Sequence, residues 1–306
     1  MSKQATQQSA QPSAATQAKR PERSDPNDLR LSFEFFPPRS ESGQDSLARV
    51  ASRLGTLRPD FYSCTYGAGG STKAGTRDTI TRLVQQGLSM APHLSIGSDQ
   101  KTDTWELLDY YRDIGVRRIV ALRGDLPSGI GLNRFSHNAE TLVRWIREHS
   151  GEHFHLEVAA YPETHPDAES PAADLEFFKR KVEAGANTAI TQYFYNPHAY
   201  FDFVERCTKT GIAIPIYPGV MPITNYEGII RFSDNCGADV PRWIRKQLEA
   251  YQDDAESLKQ FGIEVLTTLC DELLNAGAPG LHFYTLNRWG ASLTICSNLG
   301  LTARAA

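Results

Sequence analysis

Eight short apolar runs recur along the chain at intervals of roughly thirty residues. In order they are LSFEFFP around Glu34, FYSCTYG around Thr65, APHLSI around His93 and IVALRGD ending at Asp125. VAAYPE around Tyr161, AITQYFY around Gln192, IPIYPGVMP ending at Pro222 and LHFYTLNR ending at Arg288 complete the set. Each is short, rich in branched and aromatic residues and bounded by turn formers, which predicts a buried β-strand. Seven of the eight carry a carboxylate, hydroxyl, imidazole, amide or guanidinium at or near the C-terminal end; the run ending at Pro222 is the exception. A chain that had only to fold would place Val, Ile and Leu there. The pattern predicts a ring of polar groups aimed at one mouth of a barrel.

Between the runs lie turns rich in Gly, Pro or Ser and stretches with helical periodicity, such as SLARVASRLGTL, TRDTITRLVQQG, AETLVRWIREHS and ADLEFFKRKVEAGA. In the last of these Leu175, Phe178 and Val182 share one face and the charges the other, as a helix covering a sheet requires. Several stretches stop at Gly, among them Gly115, Gly185, Gly211, Gly237 and Gly277. Strand alternating with helix predicts a parallel sheet, and eight such units predict a (β/α)8 TIM barrel over residues 29–306. The rival is a doubly wound open sheet, but the even spacing shows no split into halves. An extra charged helical segment, PRWIRKQLEAYQDDAES, precedes the last covering helix. Its Trp243, Ile244 and Leu248 suit either a homo-oligomer interface or packing on the barrel. The chain ends soon after its last helix, so no appended regulatory domain is expected.

Composition narrows the class. A 306-residue chain with 40% apolar residues fits one enzyme-sized domain. A net charge of −4 without long basic runs argues against nucleic acid as the main partner. No run is long and apolar enough to cross a bilayer. Five scattered cysteines with no CxxC predict reduced thiols in a cytoplasmic protein rather than a disulfide frame or zinc site. Residues 1–28, rich in Gln, Ser, Ala and Thr, predict a disordered tail.

Several positions carry candidate chemistry. Glu34 sits among Phe33, Phe35 and Phe36, where poor solvation would raise a carboxylate's pKa and suit it to donate a proton; an inward Glu paired with a barrel cation is the alternative. In RGDLP, Arg123 and Asp125 alternate about Gly124, which lets a ligand approach the backbone, or lets the two charges pair with one another. Tyr161, Glu163 and His165 lie in a loop stiffened by Pro162 and Pro166, and the aromatic and imidazole pair suits stacking on a flat ring. Asp174 and Lys181 share a helix face with Arg180 adjacent, which fits either a surface ion network or phosphate and ribose binding. YGAGGST (66–72) lacks GxGxxG spacing and reads as a flexible loop or lid. His153, His155 and Glu157 begin a deaminase-like pattern that no PCxxC completes, and no metal site is expected.

Taken in order, SFEFFPPR, TYGAGGST, APHL, VALRGDLP, residues 159–166, KRKVEAGAN with ITQYFY, PGVMPITN and HFYTLNR resemble the methylenetetrahydrofolate reductases of the bacterial, barrel-only kind. No single block is specific, but the ordered set covers about residues 30–301. The resemblance implies a flavoprotein barrel in which NADH or NADPH reduces FAD, and FAD then reduces 5,10-methylenetetrahydrofolate to 5-methyltetrahydrofolate, in a ping-pong sequence. It implies Glu34 as the general acid that opens the folate's five-membered ring, and Asp125 as an acid beside flavin and pterin. Thr65, Tyr66, Ala68, His93, Arg123, Gly124, Asp125, Tyr161, His165, Ala168, Asp174, Arg180 and Lys181 fall where the family holds FAD. Gln192 matches the amide that contacts substrate, Tyr226 an aromatic on a loop that the family uses to stack either nicotinamide or folate, and Arg288 the cation for the folate's glutamate tail. Two departures stand out: STKAGTRD is longer than the family's usual run, and Phe177 replaces a polar residue found near FAD in some relatives. Two other readings keep the fold: the same folate chemistry fed by a protein electron donor, and a non-catalytic flavin- or folate-binding barrel.

Overall fold

The structure, a computed structural model, describes residues 29–66, 73–96, 100–124 and 138–301. The expectations for the tail 1–28, the glycine-rich loop 67–72 with Ala68, and Asp125 lie outside the described residues. Strands β1 (Arg30–Phe35), β2 (Phe61–Cys64), β3 (Met90–Ser95), β4 (Arg118–Leu122), β5 (His155–Ala160), β6 (Thr188–Tyr193), β7 (Ile216–Val220) and β8 (Gly280–Tyr284) form a closed barrel in chain order. Every neighbouring pair is parallel, including β1 with β8. The open-sheet alternative is thereby excluded.

Helices fill the intervals. They are α1 (Glu41–Gly55), α2 (Lys73–Gln85), α3 (Lys101–Asp113), α4 (Ala139–Ser150) and α5 (Pro171–Glu183). After β6 come α6 (Pro197–Lys209), α7 (Tyr226–Cys236), α8 (Arg242–Ala250), α9 (Ala255–Asn275) and, closing the chain, α10 (Gly290–Asn298). The extra charged segment is α8. Its Ile244 and Leu248 are fully buried, so they pack within the molecule, whereas Trp243 stays 60% exposed with its edge against Phe261.

The barrel is layered by the alternation of its strands. Outward residues such as Leu31, Phe33 and Phe35 join the large core beneath the helices. Inside, Phe61, Ala91, Val120 and Ile190 make a small apolar plug. Below it, at the N-terminal end, Glu157 accepts hydrogen bonds from Arg118 and Thr188, and His155 bonds Thr188 at 2.9 Å. This network absorbs His155 and Glu157 of the deaminase-like set into the floor, with the Arg118 guanidinium 4.5 Å from the Phe61 ring centroid, while His153 lies 3.0 Å from Arg117 instead. Above the plug lies the polar mouth.

Several strands stop short of the polar residue that marked them in the sequence. Glu34, His93 and Gln192 lie within strands, but β2 ends before Thr65, β5 before Tyr161 and β8 before Arg288. The ring is built partly of strand ends and partly of the loops that follow, where side chains escape the pleat.

Candidate active site

The seam between β1 and β8 sets the centre. Register pairs Ser32 with His282 and Glu34 with Tyr284, and all four face the barrel interior or its mouth. Ser32 Oγ lies 2.7 Å from His282 Nδ1, and His282 Nε2 lies 3.9 Å from Glu34 Oε2. From the other side His93 Nε2 approaches the same oxygen at 3.3 Å. Neither Nε2 has a hydrogen-bond partner in the described protein. Burial lowers the pKa of His93, outweighing the Glu34 carboxylate, and His282 lowers it further, so the imidazole is neutral near pH 7. The Glu34 backbone is pinned by Thr285, whose Oγ1 donates to the Glu34 carbonyl at 2.6 Å.

Two cavities meet over this carboxylate. The first, about 490 Å³, runs from the mouth between α4 and α5; the second, about 380 Å³, opens toward β7, β8 and α7. Glu34, His93, Leu122, Ala159, Tyr161 and Gln192 line both. Both volumes lie in the range of small-molecule sites.

The first cavity gathers most of the positions singled out in the sequence: Thr65, Tyr66, Arg123, Gly124, His165, Ala168, Asp174 and Lys181. Tyr161 and His165 meet edge to face at 4.5 Å, the pair their loop suggested. Arg123 pairs with Asp167 at 2.7 Å, and its hydrogen bond holds the Asp167 carboxyl below the usual range. Asp174 accepts from the His165 backbone N–H at 2.9 Å, which ties the loop to α5. Lys181 donates to the Ala159 carbonyl at 2.5 Å, and enclosure of its ammonium brings its pKa down to about 8 despite Asp174. Thr65 Oγ1 is enclosed without a partner among the described residues. Gly124 has φ +88°, and a Cβ there would sit 2.9 Å from Ser95 Cβ. Arg123, Lys181, the orphan Thr65 hydroxyl, Asp174 and the Tyr161–His165 pair lie along one slot that also carries Glu34, Glu140 and Asp167, the last already paired with Arg123. Together they offer donors and acceptors to an elongated ligand with a flat ring.

Three assigned residues line neither cavity. Arg180 stacks on Phe177 and stands 3.8 Å from Glu140. Tyr226 becomes the first residue of α7 because Asn225 caps that helix, and it packs against the core; Phe232, later in the same helix, lines the second cavity instead. Arg288 is exposed. After β8 the backbone turns left-handed at Leu286 and Asn287, and the Asn287 amide clasps the Phe36 backbone N–H and carbonyl at 3.0 and 2.9 Å.

The structure adds Phe232, His282 and Tyr284, which line the second cavity. Tyr284 donates its hydroxyl to the Thr191 carbonyl at 2.7 Å, and burial, with Glu34 adding, keeps its pKa well above the ordinary value. Gly219 on β7 makes this crossing possible: a Cβ there would lie 2.6 Å from the Tyr284 ring and 2.2 Å from the Thr191 carbonyl oxygen. The seventh run thus lacks a polar end because its role is to leave room. Alternation in LHFYTLNR, with His282 and Tyr284 on one face, carried a signal that a reading confined to strand ends passes over.

A family profile described as methylenetetrahydrofolate reductase matches residues 20–300. The 5,10-methylenetetrahydrofolate reductase of Escherichia coli strain K12 is 38% identical over 275 residues, covering 89% of this chain and 91% of that one. Methylenetetrahydrofolate reductase (NADH) 1 of Arabidopsis thaliana is 37% identical over 285 residues, covering 89% of this chain and 48% of that longer one. Among solved structures, an uncharacterized Clostridium thermocellum protein that binds two copies of 5-methyl-5,6,7,8-tetrahydrofolic acid shares the fold, with a TM-score of 0.64 at 16% identity, over 90% of this chain and 96% of that one. With the profile spanning nearly the whole barrel and curated bacterial relatives matched almost end to end, the chain belongs to the methylenetetrahydrofolate reductase family.

Proposed function

We propose that this protein reduces 5,10-methylenetetrahydrofolate to 5-methyltetrahydrofolate with electrons from NADH or NADPH, the two substrates visiting one bound FAD in turn. FAD, when bound, supplies the ring that accepts and returns the hydride. The observation that carries this reading is Glu34, shared by two adjoining cavities and flanked by two buried imidazoles. The first cavity has the donor set for the cofactor: Arg123 and Lys181 for phosphate charge, Asp174 for ribose hydroxyls, Tyr161 and His165 for a flat ring, Thr65 for a ring heteroatom.

The second cavity is more apolar, walled by Phe36, Phe232, Met221, Leu286 and Tyr284, and suits a pterin and its aminobenzoyl group. Protonated Glu34 donates to the folate nitrogen whose release opens the five-membered ring, so that the carbon left behind becomes an iminium ready for hydride. His93, kept neutral by burial, presents its Nε2 to the Glu34 carboxyl at 3.3 Å, and the His282 Nε2 faces the same oxygen from the other side. The chain Ser32–His282–Glu34 then offers a path to restore the transferred proton. Gln192, whose amide oxygen accepts from Tyr193 N–H at 3.0 Å, keeps its NH₂ free to donate to the folate. Asp125 keeps its motif-based assignment as an acid beside flavin and pterin, where a negative charge would favour the cationic iminium. Tyr226 and Arg288 keep only their motif-based assignment as folate contacts, and Arg180 and Ala68 theirs as FAD contacts.

Among the described residues no helix is long and apolar enough to cross a membrane, and all five cysteines are unbridged, which supports a cytoplasmic setting. The Arabidopsis relative is named for NADH, which makes NADH the first donor to try. The test is anaerobic stopped-flow absorbance of the FAD-loaded protein. Either nicotinamide should bleach the flavin, and methylenetetrahydrofolate should restore its colour. Glu34→Gln should bleach normally and lose reoxidation by about 10²–10⁴-fold, the span expected for a general acid. If neither nicotinamide bleaches the flavin while folate still reoxidises a chemically reduced sample, a protein electron donor replaces the nicotinamide. Binding without either half-reaction makes the barrel non-catalytic.

A further inference from the structure

One aromatic side chain in the first cavity takes no part in the core. Phe178 is the buried member of the α5 stripe, 3% exposed and packed on Phe203, whereas its neighbour Phe177 is 46% exposed. Asp174, Phe177 and Lys181 stand at i, i+3 and i+7 on α5, and all three line the cavity. Phe177 therefore belongs to the helix face turned toward the ligand, not the one turned toward the sheet. Arg180 packs on this ring with its guanidinium carbon 4.1 Å from the centroid, and Glu140 of α4 stands 3.8 Å from Arg180. Phe177 lines the cavity and Arg180 does not, so the ring itself presents surface to the cavity while the guanidinium packs on it. An aromatic ring backed by a cation is a ready platform for a second flat ring.

We infer that Phe177 is a binding residue for the adenine ring of the dinucleotide, a residue that distinguishes FAD from a mononucleotide flavin. The inference rests on the proposed FAD site and extends it. The reacting ring of the cofactor must lie where the two cavities meet, at Glu34, His93 and Gln192, because substrate reaches it from the second cavity. Phe177 lines the first cavity alone, beside Asn138 and Ala139 at the start of α4 on the outer layer. What reaches it is the unreactive end of the cofactor, the adenosine. FMN has no such end.

The experiment is equilibrium titration of the apoprotein with FAD and with FMN, followed by flavin fluorescence, for the wild type, Phe177→Ala and Phe177→Trp. The wild type should prefer FAD over FMN. That preference should fall about tenfold in Phe177→Ala, as base stacking on an aromatic ring implies, and persist in Phe177→Trp. An unchanged preference in Phe177→Ala, or an equal loss for both flavins, overturns the inference while leaving the FAD site intact. A wild type that binds no FAD overturns the functional reading and this inference with it.

Discussion

Glu34 and His282 face each other across the strand pair that closes the barrel, with Oε2 of one 3.9 Å from Nε2 of the other. On its far side His282 is bonded to Ser32 at 2.7 Å. The imidazole is fully buried, and no other described group bonds its Nε2. A buried ring held by one nitrogen and aimed at a carboxylate by the other is an arrangement for holding or passing a proton.

His282→Asn should therefore slow folate-driven reoxidation of the flavin about tenfold, less than loss of the acid itself, and should change its pH profile. Bleaching by nicotinamide should be unaffected. A reoxidation rate and pH profile matching the wild type at every pH would remove His282 from the reaction.

On the proposed FAD site, Lys181 should give cofactor binding a pH dependence. Its pKa in the free protein is brought down to about 8 by enclosure, and a phosphate beside it favours the ammonium form. FAD affinity should stay level below about pH 8 and weaken above it, since the free protein must then take up a proton to bind. Lys181→Met should weaken binding at pH 7 and flatten this profile. Stability of the apoprotein runs the other way. The unfolded chain, with its ordinary Lys value of 10.5, holds more protons between about 8 and 10.5, so stability rises across that window. Titrations of FAD across this pH range check the first effect, and urea unfolding checks the second.

Gly124→Ala places a Cβ in left-handed backbone at φ +88° and 2.9 Å from Ser95 Cβ. The backbone alone should cost about 1–2 kcal/mol. Because Ser95 also lines the first cavity, flavin affinity should fall with stability. An Ala variant as stable as the wild type in urea would show that this turn relaxes freely.

At the other end of the barrel, Glu157→Gln leaves Arg118 without its counter-charge against the Phe61 ring. Removing one partner of a buried pair should lower unfolding free energy by about 3–5 kcal/mol, and a paired Arg118→Met, Glu157→Leu change should recover most of it. The flavin affinity of the single variant should match the wild type, since the apolar plug separates floor from mouth. Urea unfolding beside an FAD titration separates the two effects.

The fold was legible because its signals are local. Apolar runs with branched and aromatic residues, amphipathic intervals and terminal glycines each act within a few residues, and all agree on one alternation. The lining of the first cavity was legible for a related reason: His93, Tyr161 and Gln192 interrupt apolar runs where burial makes a polar group costly. Three positions owe their surroundings to tertiary contacts. Arg288 and Tyr226 were placed by motif, yet a left-handed turn clasped to Phe36 exposes the first, and a helix cap sets the second against the core. Phe232 looked like any apolar helix residue, and only its exposure at the cavity marks it out.

By itself the sequence determined the eightfold alternation, the parallel barrel and the choice of polar residues at its mouth, because burial and backbone preference are written into short stretches of chain. Closure of β8 onto β1 decided the rest. It set Ser32 and Glu34 against His282 and Tyr284 across some 250 residues of sequence, used Gly219 to admit the Tyr284 ring, and divided the mouth into two cavities sharing one carboxylate. Those contacts depend on register and on the curvature of a closed sheet, and no local pattern encodes them.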